Sequence, residues 1–142
     1  MCGAVTFVAR DVPDRFGACH CEMCRRWAGS ALMAATVPLG DVSFTGESAI
    51  KRVQSSEWAE RAWCGKCGTG LWYRVTAEGP MGGNYELPVG LFDSTEGMTL
   101  DSEIFYDVKS HAVNLSGETK KMTRAEVFAK YAPDQLDEGE SA

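Results

Sequence analysis

No run of apolar residues in this 142-residue sequence approaches the roughly 20 needed to cross a bilayer. The N-terminus, Met1-Cys2-Gly3-Ala4-Val5, lacks the basic stretch followed by an apolar one that marks a secretory signal. Neither a membrane span nor a leader is expected, and the chain is placed in the cytoplasm. Basic charge is in short supply as well. There are 14 Lys and Arg against 20 Asp and Glu, a formal charge of −6. Arg25-Arg26 and Lys120-Lys121 are short basic pairs, not the stripe that neutralises phosphates, so a small molecule is expected as partner and not nucleic acid. Histidine is scarce, with His20 and His111 alone. Internal repeats and low-complexity blocks are missing until the tail from 134 to 142, which is acidic, poor in apolar residues and expected to fray.

What the chain does have is apolar content of 44%, ordinary for a globular protein, and a length that suits one domain over residues 1–133. The pattern reads as mainly β. Short runs rich in β-branched and aromatic residues fall at Ala4 to Ala9, Ala31 to Val37, Ile50 to Gln54, Arg61 to Trp63, Leu71 to Val75, Leu87 to Phe92 and Ile104 to Val108. The 15 glycines suit many turns. Two short helices are expected. One covers Glu22 to Ala28. The other covers Arg124 to Tyr131, opened by a capping box in Thr123-Arg124-Ala125-Glu126 and ended by Pro133.

The chemistry sits in six cysteines. Three disulfides would be one use of them, but a reducing compartment and the spacing both argue against it. Cys64-Gly65-Lys66-Cys67-Gly68 is a C-x-x-C knuckle. Two thiolates two residues apart can face one ion, with Gly65 and Gly68 permitting the turn. A redox C-x-x-C would want a βαβ context, whereas this one lies between strand-like segments. Cys19-His20-Cys21-Glu22-Met23-Cys24 is a C-x-C-x-x-C cluster. Three thiolates leave one tetrahedral position open, as catalytic zinc does; the competing reading is that they share a closed structural ion with another cysteine. His20 faces away from the metal if Cys19 and Cys21 face it, because neighbours on an extended segment point to opposite sides. His111 has no metal-spaced neighbour.

Together these motifs resemble those of the glutathione-dependent formaldehyde-activating enzymes, a family that includes centromere protein V. The residues that carry the resemblance are Cys2-Gly3-Ala4-Val5, Cys19 through Ser30, Ser55-Ser56 with Arg61 through Thr69, and Val89-Gly90-Leu91-Phe92-Asp93. It extends to about Asn114. The resemblance implies a β-tent fold with two zinc ions. One is structural, held by an N-terminal C-x-C and the later C-x-x-C, here Cys2, Cys64 and Cys67. The other is labile and catalytic, held by Cys19, Cys21 and Cys24. The implied activity is that of a carbon–sulfur lyase, with glutathione and formaldehyde as partners and S-hydroxymethylglutathione as product. The sequence departs from the family in one respect. The first cysteine of the N-terminal pair would precede Met1, so the expectation is either a truncated start or another donor such as the N-terminal amine or water. Arg25 and Arg26 are either attractors of glutathione carboxylates or a solvated helix face. Trp27 is expected in the core or a pocket wall. Ser55 and Ser56 are either turn residues or pocket hydrogen-bonders. A non-catalytic zinc-stabilised scaffold is the alternative function, since fold does not imply function.

Overall fold

The computed structural model describes residues 1–133; the tail from 134 to 142, expected to fray, lies outside them. Along the chain run β1 (Thr6–Ala9), β2 (Arg15–Cys19), α1 (Glu22–Ala28), β3 (Leu32–Pro38), β4 (Val42–Thr45), β5 (Ile50–Gln54), β6 (Ala59–Cys64), β7 (Gly70–Val75), β8 (Asn84–Pro88), β9 (Thr99–Ile104), β10 (Lys120–Met122) and α2 (Arg124–Tyr131). The fold is mainly β with two short helices, as the sequence pattern indicates. No helix among the described residues is long and apolar enough to cross a membrane. The residues group into two compact units, each discontinuous in sequence. Residues Met1–Asp14 with Ala34–Met98 form one, and Arg15–Met33 with the described residues from Thr99 onward form the other.

In the first unit β3, β8, β7, β6 and β5 lie side by side, each antiparallel to the next. The β1–β4 pair forms a separate two-stranded sheet. Alternation along the strands decides what lies between them. Trp72, Ala62, Leu87 and Val37 are all at most 1% exposed, and Phe7, Phe44, Tyr85 and Phe92 pack around them. The Phe44 ring lies 4.7 Å from Trp72, and Trp72 lies 5.0 Å from Tyr85, tilted and edge-on geometries that aromatic quadrupoles favour. Gly46 (φ +72) returns the chain from β4 past β1. A Cβ there would sit 1.9 Å from the Ala4 carbonyl oxygen, so only glycine fits.

In the second unit β2 and β10 flank β9, and both run parallel to it. Parallel partners need long connections, and here they are distant in sequence. Gly17 sits where the β2–β9 register shifts, 3.0 Å from Ser102 Oγ by its missing Cβ. The strands β2, β4 and β10, and all of β9 before Ile104, were not expected from the sequence. The run expected from Ile104 to Val108 meets a strand only at Ile104, the last residue of β9, because Phe105 adopts φ 55 and a 3₁₀ turn follows. The Phe105 ring is pinned edge-on to Phe128 of α2 at 6.0 Å. Likewise Leu87 to Phe92 divides into the end of β8 and a 3₁₀ turn. Both helices match their expected bounds, and the Thr123–Glu126 capping box is complete.

The face of the first unit's sheet opposite Trp72 and Leu87 carries a polar row. Register places Thr36 opposite Glu86, Glu86 opposite Tyr73, and Tyr73 opposite Arg61, so all four share a face. The Arg61 guanidinium lies 4.9 Å from the Tyr73 ring, and its Nη1 donates to Ser55 Oγ. Thr36 Oγ1 donates to both Glu86 oxygens at 3.0 and 2.9 Å. Burial pushes the Glu86 carboxyl up to about 7 despite that hydroxyl. A carboxyl raised on folding binds protons more tightly in the folded state. Its penalty is therefore absent below about pH 4.5 and grows as pH rises towards 7. Glu86→Gln should be neutral near pH 4.5 and relatively stabilising at pH 8. Thermal melts of the two proteins across that range would test this, and a pH-independent difference would contradict it.

Candidate metal centres

Two groups of three thiols converge in the structure. In the first unit the β6 strand delivers Cys64, 2% exposed, to the start of a tight turn. The Cys64 N–H donates to Thr69 O at 2.8 Å, and the Gly68 N–H returns to Cys64 O at 2.8 Å, with Gly68 at φ 79. Gly65 passes so close to β5 that a Cβ would lie 2.8 Å from Lys51 Cγ. The knuckle thus turns Cys67 back beside Cys64. Cys2, just ahead of β1, completes the group, and all three sulfurs lie within 4.8 Å of one another. Cys2 Sγ and Cys64 Sγ are 3.7 Å apart. Two thiolates bound to one tetrahedral zinc at ~2.3 Å would sit roughly 3.8 Å apart, so this spacing fits the ion. The Thr69 hydroxyl, 3.2 Å from Cys67 Sγ, pulls that thiol down to about 6, with the Thr69 backbone assisting. A thiol held that low is largely ionised at neutral pH, the form that binds metal. The N-terminal amine donates to Thr69 Oγ1 at 3.3 Å.

In the second unit Cys19 ends β2, Cys21 caps α1 and Cys24 lies inside it, 4% exposed. Cys21 Sγ accepts the Cys24 N–H at 3.4 Å. The helix stops after two turns because Gly29 takes φ 77 and returns its N–H to Arg25 O. The sulfurs of Cys19, Cys21 and Cys24 also lie within 4.8 Å of one another. Thiols this crowded cannot all ionise on their own. Hydrogen bonding to Cys21 and then Cys24, burial, and the neighbours' charge drive the Cys19 thiol far upward. A cation among them reverses that preference, since a coordinated thiol is deprotonated outright. Both triads could hold a metal, and their all-sulfur donor sets suit zinc. All six cysteines are free thiols.

His20, between Cys19 and Cys21, is not among the residues whose ligand atoms converge. Its Nε2 lies 2.7 Å from Glu103 Oε2, with both side chains 3% exposed. Burial opposes ionisation of Glu103, but hydrogen bonds from Thr119 and His20 and the Lys121 charge outweigh it and hold the carboxyl below its ordinary value. An ionised carboxylate only accepts, so His20 Nε2 carries the proton. Of the other residues singled out in the sequence, Arg25 Nε donates to His20 O, and Arg26 is exposed. Trp27 is half-buried, and His111 is exposed. The Ser55 and Ser56 N–H groups both donate to Ala59 O, closing the turn between β5 and β6. Sequence reasoning did not find Glu103, Thr119 or Thr69. Only Thr69 carried a signal, as the residue directly after the C-x-x-C-G knuckle.

Comparison with known proteins agrees with this arrangement. A protein of Schizosaccharomyces pombe, named an uncharacterized lyase, is 30% identical over 129 residues, covering 90% of each chain. The crystal structure of a Rhodobacter sphaeroides protein superposes with a TM-score of 0.54 at 23% identity, over 66% of this chain and 84% of that one, a likeness of fold alone. The family model of the glutathione-dependent formaldehyde-activating enzymes matches residues 1–110, a span that contains both cysteine triads. The chain therefore belongs to the glutathione-dependent formaldehyde-activating enzyme family.

Proposed function

We propose that this protein is a zinc-dependent carbon–sulfur lyase that joins glutathione, or a related thiol, to formaldehyde at the triad of Cys19, Cys21 and Cys24. The observation that carries the reading is the convergence of those three sulfurs within 4.8 Å of one another, in a chain of this family. Three thiolates satisfy a tetrahedral ion only in part, which is the donor count of a site that accepts a further ligand. Zinc bound there would supply either ionisation of an incoming thiol or polarisation of the aldehyde oxygen. In the reaction the thiol sulfur forms a bond to the aldehyde carbon. The carbonyl electron pair moves to oxygen, which takes up a proton, and the thiol proton is released. The reverse breaks the same carbon–sulfur bond, hence a lyase.

The chain's own part is to hold the sulfurs in place. Cys21 and Cys24 are fixed by the first turn of α1, and Cys19 by the end of β2. Arg26, exposed on α1, is available to attract a glutathione carboxylate. Cys2, Cys64 and Cys67 take the structural role in this reading, because the knuckle ties β5, β6 and the chain ahead of β1 together. A cytoplasmic location suits the proposal, since thiols of this kind persist where glutathione keeps them reduced.

Two outcomes follow. Cys64→Ser should lose about one equivalent of zinc by elemental analysis and melt at a lower temperature, because metal binding at such a site is linked to folding. Unchanged metal and melting would remove the structural role. Cys24→Ser should abolish the thiol–formaldehyde rate above the uncatalysed background while leaving far-UV dichroism and the first zinc in place. A Cys24→Ser protein that keeps the full rate would favour the non-catalytic scaffold.

A further inference from the structure

The buried His20–Glu103 pair takes no part in the chemistry above, yet it lies between two of the three sulfurs in sequence. His20 is restrained at four points. Its N–H donates to Ile104 O at 3.0 Å, and its carbonyl accepts from Arg25 Nε at 2.9 Å. Its Nε2 lies 2.7 Å from Glu103, and its ring meets Tyr106 edge-on at 6.1 Å. Glu103 is braced in turn. Thr119 Oγ1 donates to its Oε1 at 2.6 Å, and Lys121 Nζ stands 3.9 Å from the same oxygen. Lys121 also donates to Thr119 Oγ1 at 2.9 Å. Thr119 and Lys121 lie on and just ahead of β10, beyond residue 110 where the family match ends.

We infer that His20 is a positioning residue for the second triad: its hydrogen bond to Glu103, braced by Thr119 and Lys121 of the segment beyond the family match, locks the Cys19–Cys21 backbone so that both sulfurs converge with Cys24. The inference rests on the reading of that triad as a metal centre. Rotation about the His20 backbone would swing Cys19 and Cys21 relative to each other. A free segment would have to give up that freedom each time metal bound. Here folding has already removed it, because a carboxylate–imidazole bond shielded from water cannot exchange for water. The imidazole acts through the backbone and not as a ligand, since its Nε2 is engaged by Glu103 and its ring is not among the groups that converge with the sulfurs. The brace comes from β10, so this protein's second triad depends on residues that the family pattern does not cover.

The experiment uses the full chain loaded with cadmium-113, whose resonance reports each thiolate site separately, with Cys24→Ser assigning the second site. Cadmium affinity at each site is read by chelator competition. His20→Ala should weaken the second site roughly ten- to a hundredfold, the range found when partners outside the ligand set are removed, and shift its resonance. The first site should be unchanged and serves as an internal control for folding. His20→Gln, whose side-chain amide can reach Glu103 as Nε2 does, should recover most of the loss. Thr119→Val should give a smaller loss in the same direction. Unchanged affinity at the second site in His20→Ala overturns the inference, as does an equal loss at both sites, which would mean general unfolding. A wild-type chain that binds no cadmium at the second triad overturns the metal-centre reading itself, and the inference falls with it.

Discussion

Sulfur crowding is the constraint on which the rest depends. Three thiols within 4.8 Å of one another are a poor arrangement for an ordinary core: each thiolate raises the cost of ionising the next, and a buried free cysteine packs as well elsewhere. The fold spends specific devices on producing that arrangement twice. In one unit it uses a glycine-permitted knuckle at the end of β6. In the other it uses a helix cap, one turn of α1 and a strand end. These devices are local, but each is held by distant chain. Ala49 accepts the Gly65 N–H behind the first triad, and Ile104 accepts the His20 N–H behind the second. Polar partners for the backbone are what keep these bends from relaxing.

The two triads are supported differently. Beside the first lies Thr69, whose hydroxyl favours the ionised form of Cys67 directly. Beside the second stands the buried His20–Glu103 hydrogen bond, one peptide away from Cys19 and Cys21. In the roles proposed above, electrostatic help at the sulfur would suit the structural site, and geometric help through the backbone would suit the one with a position left for exchange.

Local signals in the sequence were read well where the physics is local. Glu22–Ala28 and Arg124–Tyr131 carry their own caps, and Ile50–Gln54 is a β-branched run between turns; all three appear with their expected bounds. The cysteine groups were legible because C-x-x-C and C-x-C-x-x-C are themselves geometric statements. What was not legible depends on partners far along the chain. β2 reads Arg-Phe-Gly-Ala-Cys, with a glycine at its centre, and is a strand only because β9 lies beside it. β10 is three residues, two of them lysine, and is likewise defined by β9. Phe105 gave no sign of its positive φ, so the strand expected from Ile104 to Val108 falls where a turn begins, and it shares only Ile104 with β9. Glu103 looked like any acidic residue, since nothing local announces that a histidine 83 positions away will pair with it.

That separation bears on how the protein is made. β2 has its parallel partner in β9, and the pair that anchors His20 joins residues 83 apart. Closing such a span costs conformational entropy before any contact repays it, and synthesis proceeds from the N-terminus at a handful of residues per second. Cys19, Cys21 and Cys24 are made well before the strand that orders them, since β9 begins only at Thr99. Once clear of the ribosome, and until β9 follows, they are three thiols without that strand, open to oxidants and to thiophilic ions. The order of the strands therefore makes the second triad chemically most vulnerable in the nascent chain, and its native arrangement of sulfurs can form only late, once β9 and β10 have emerged.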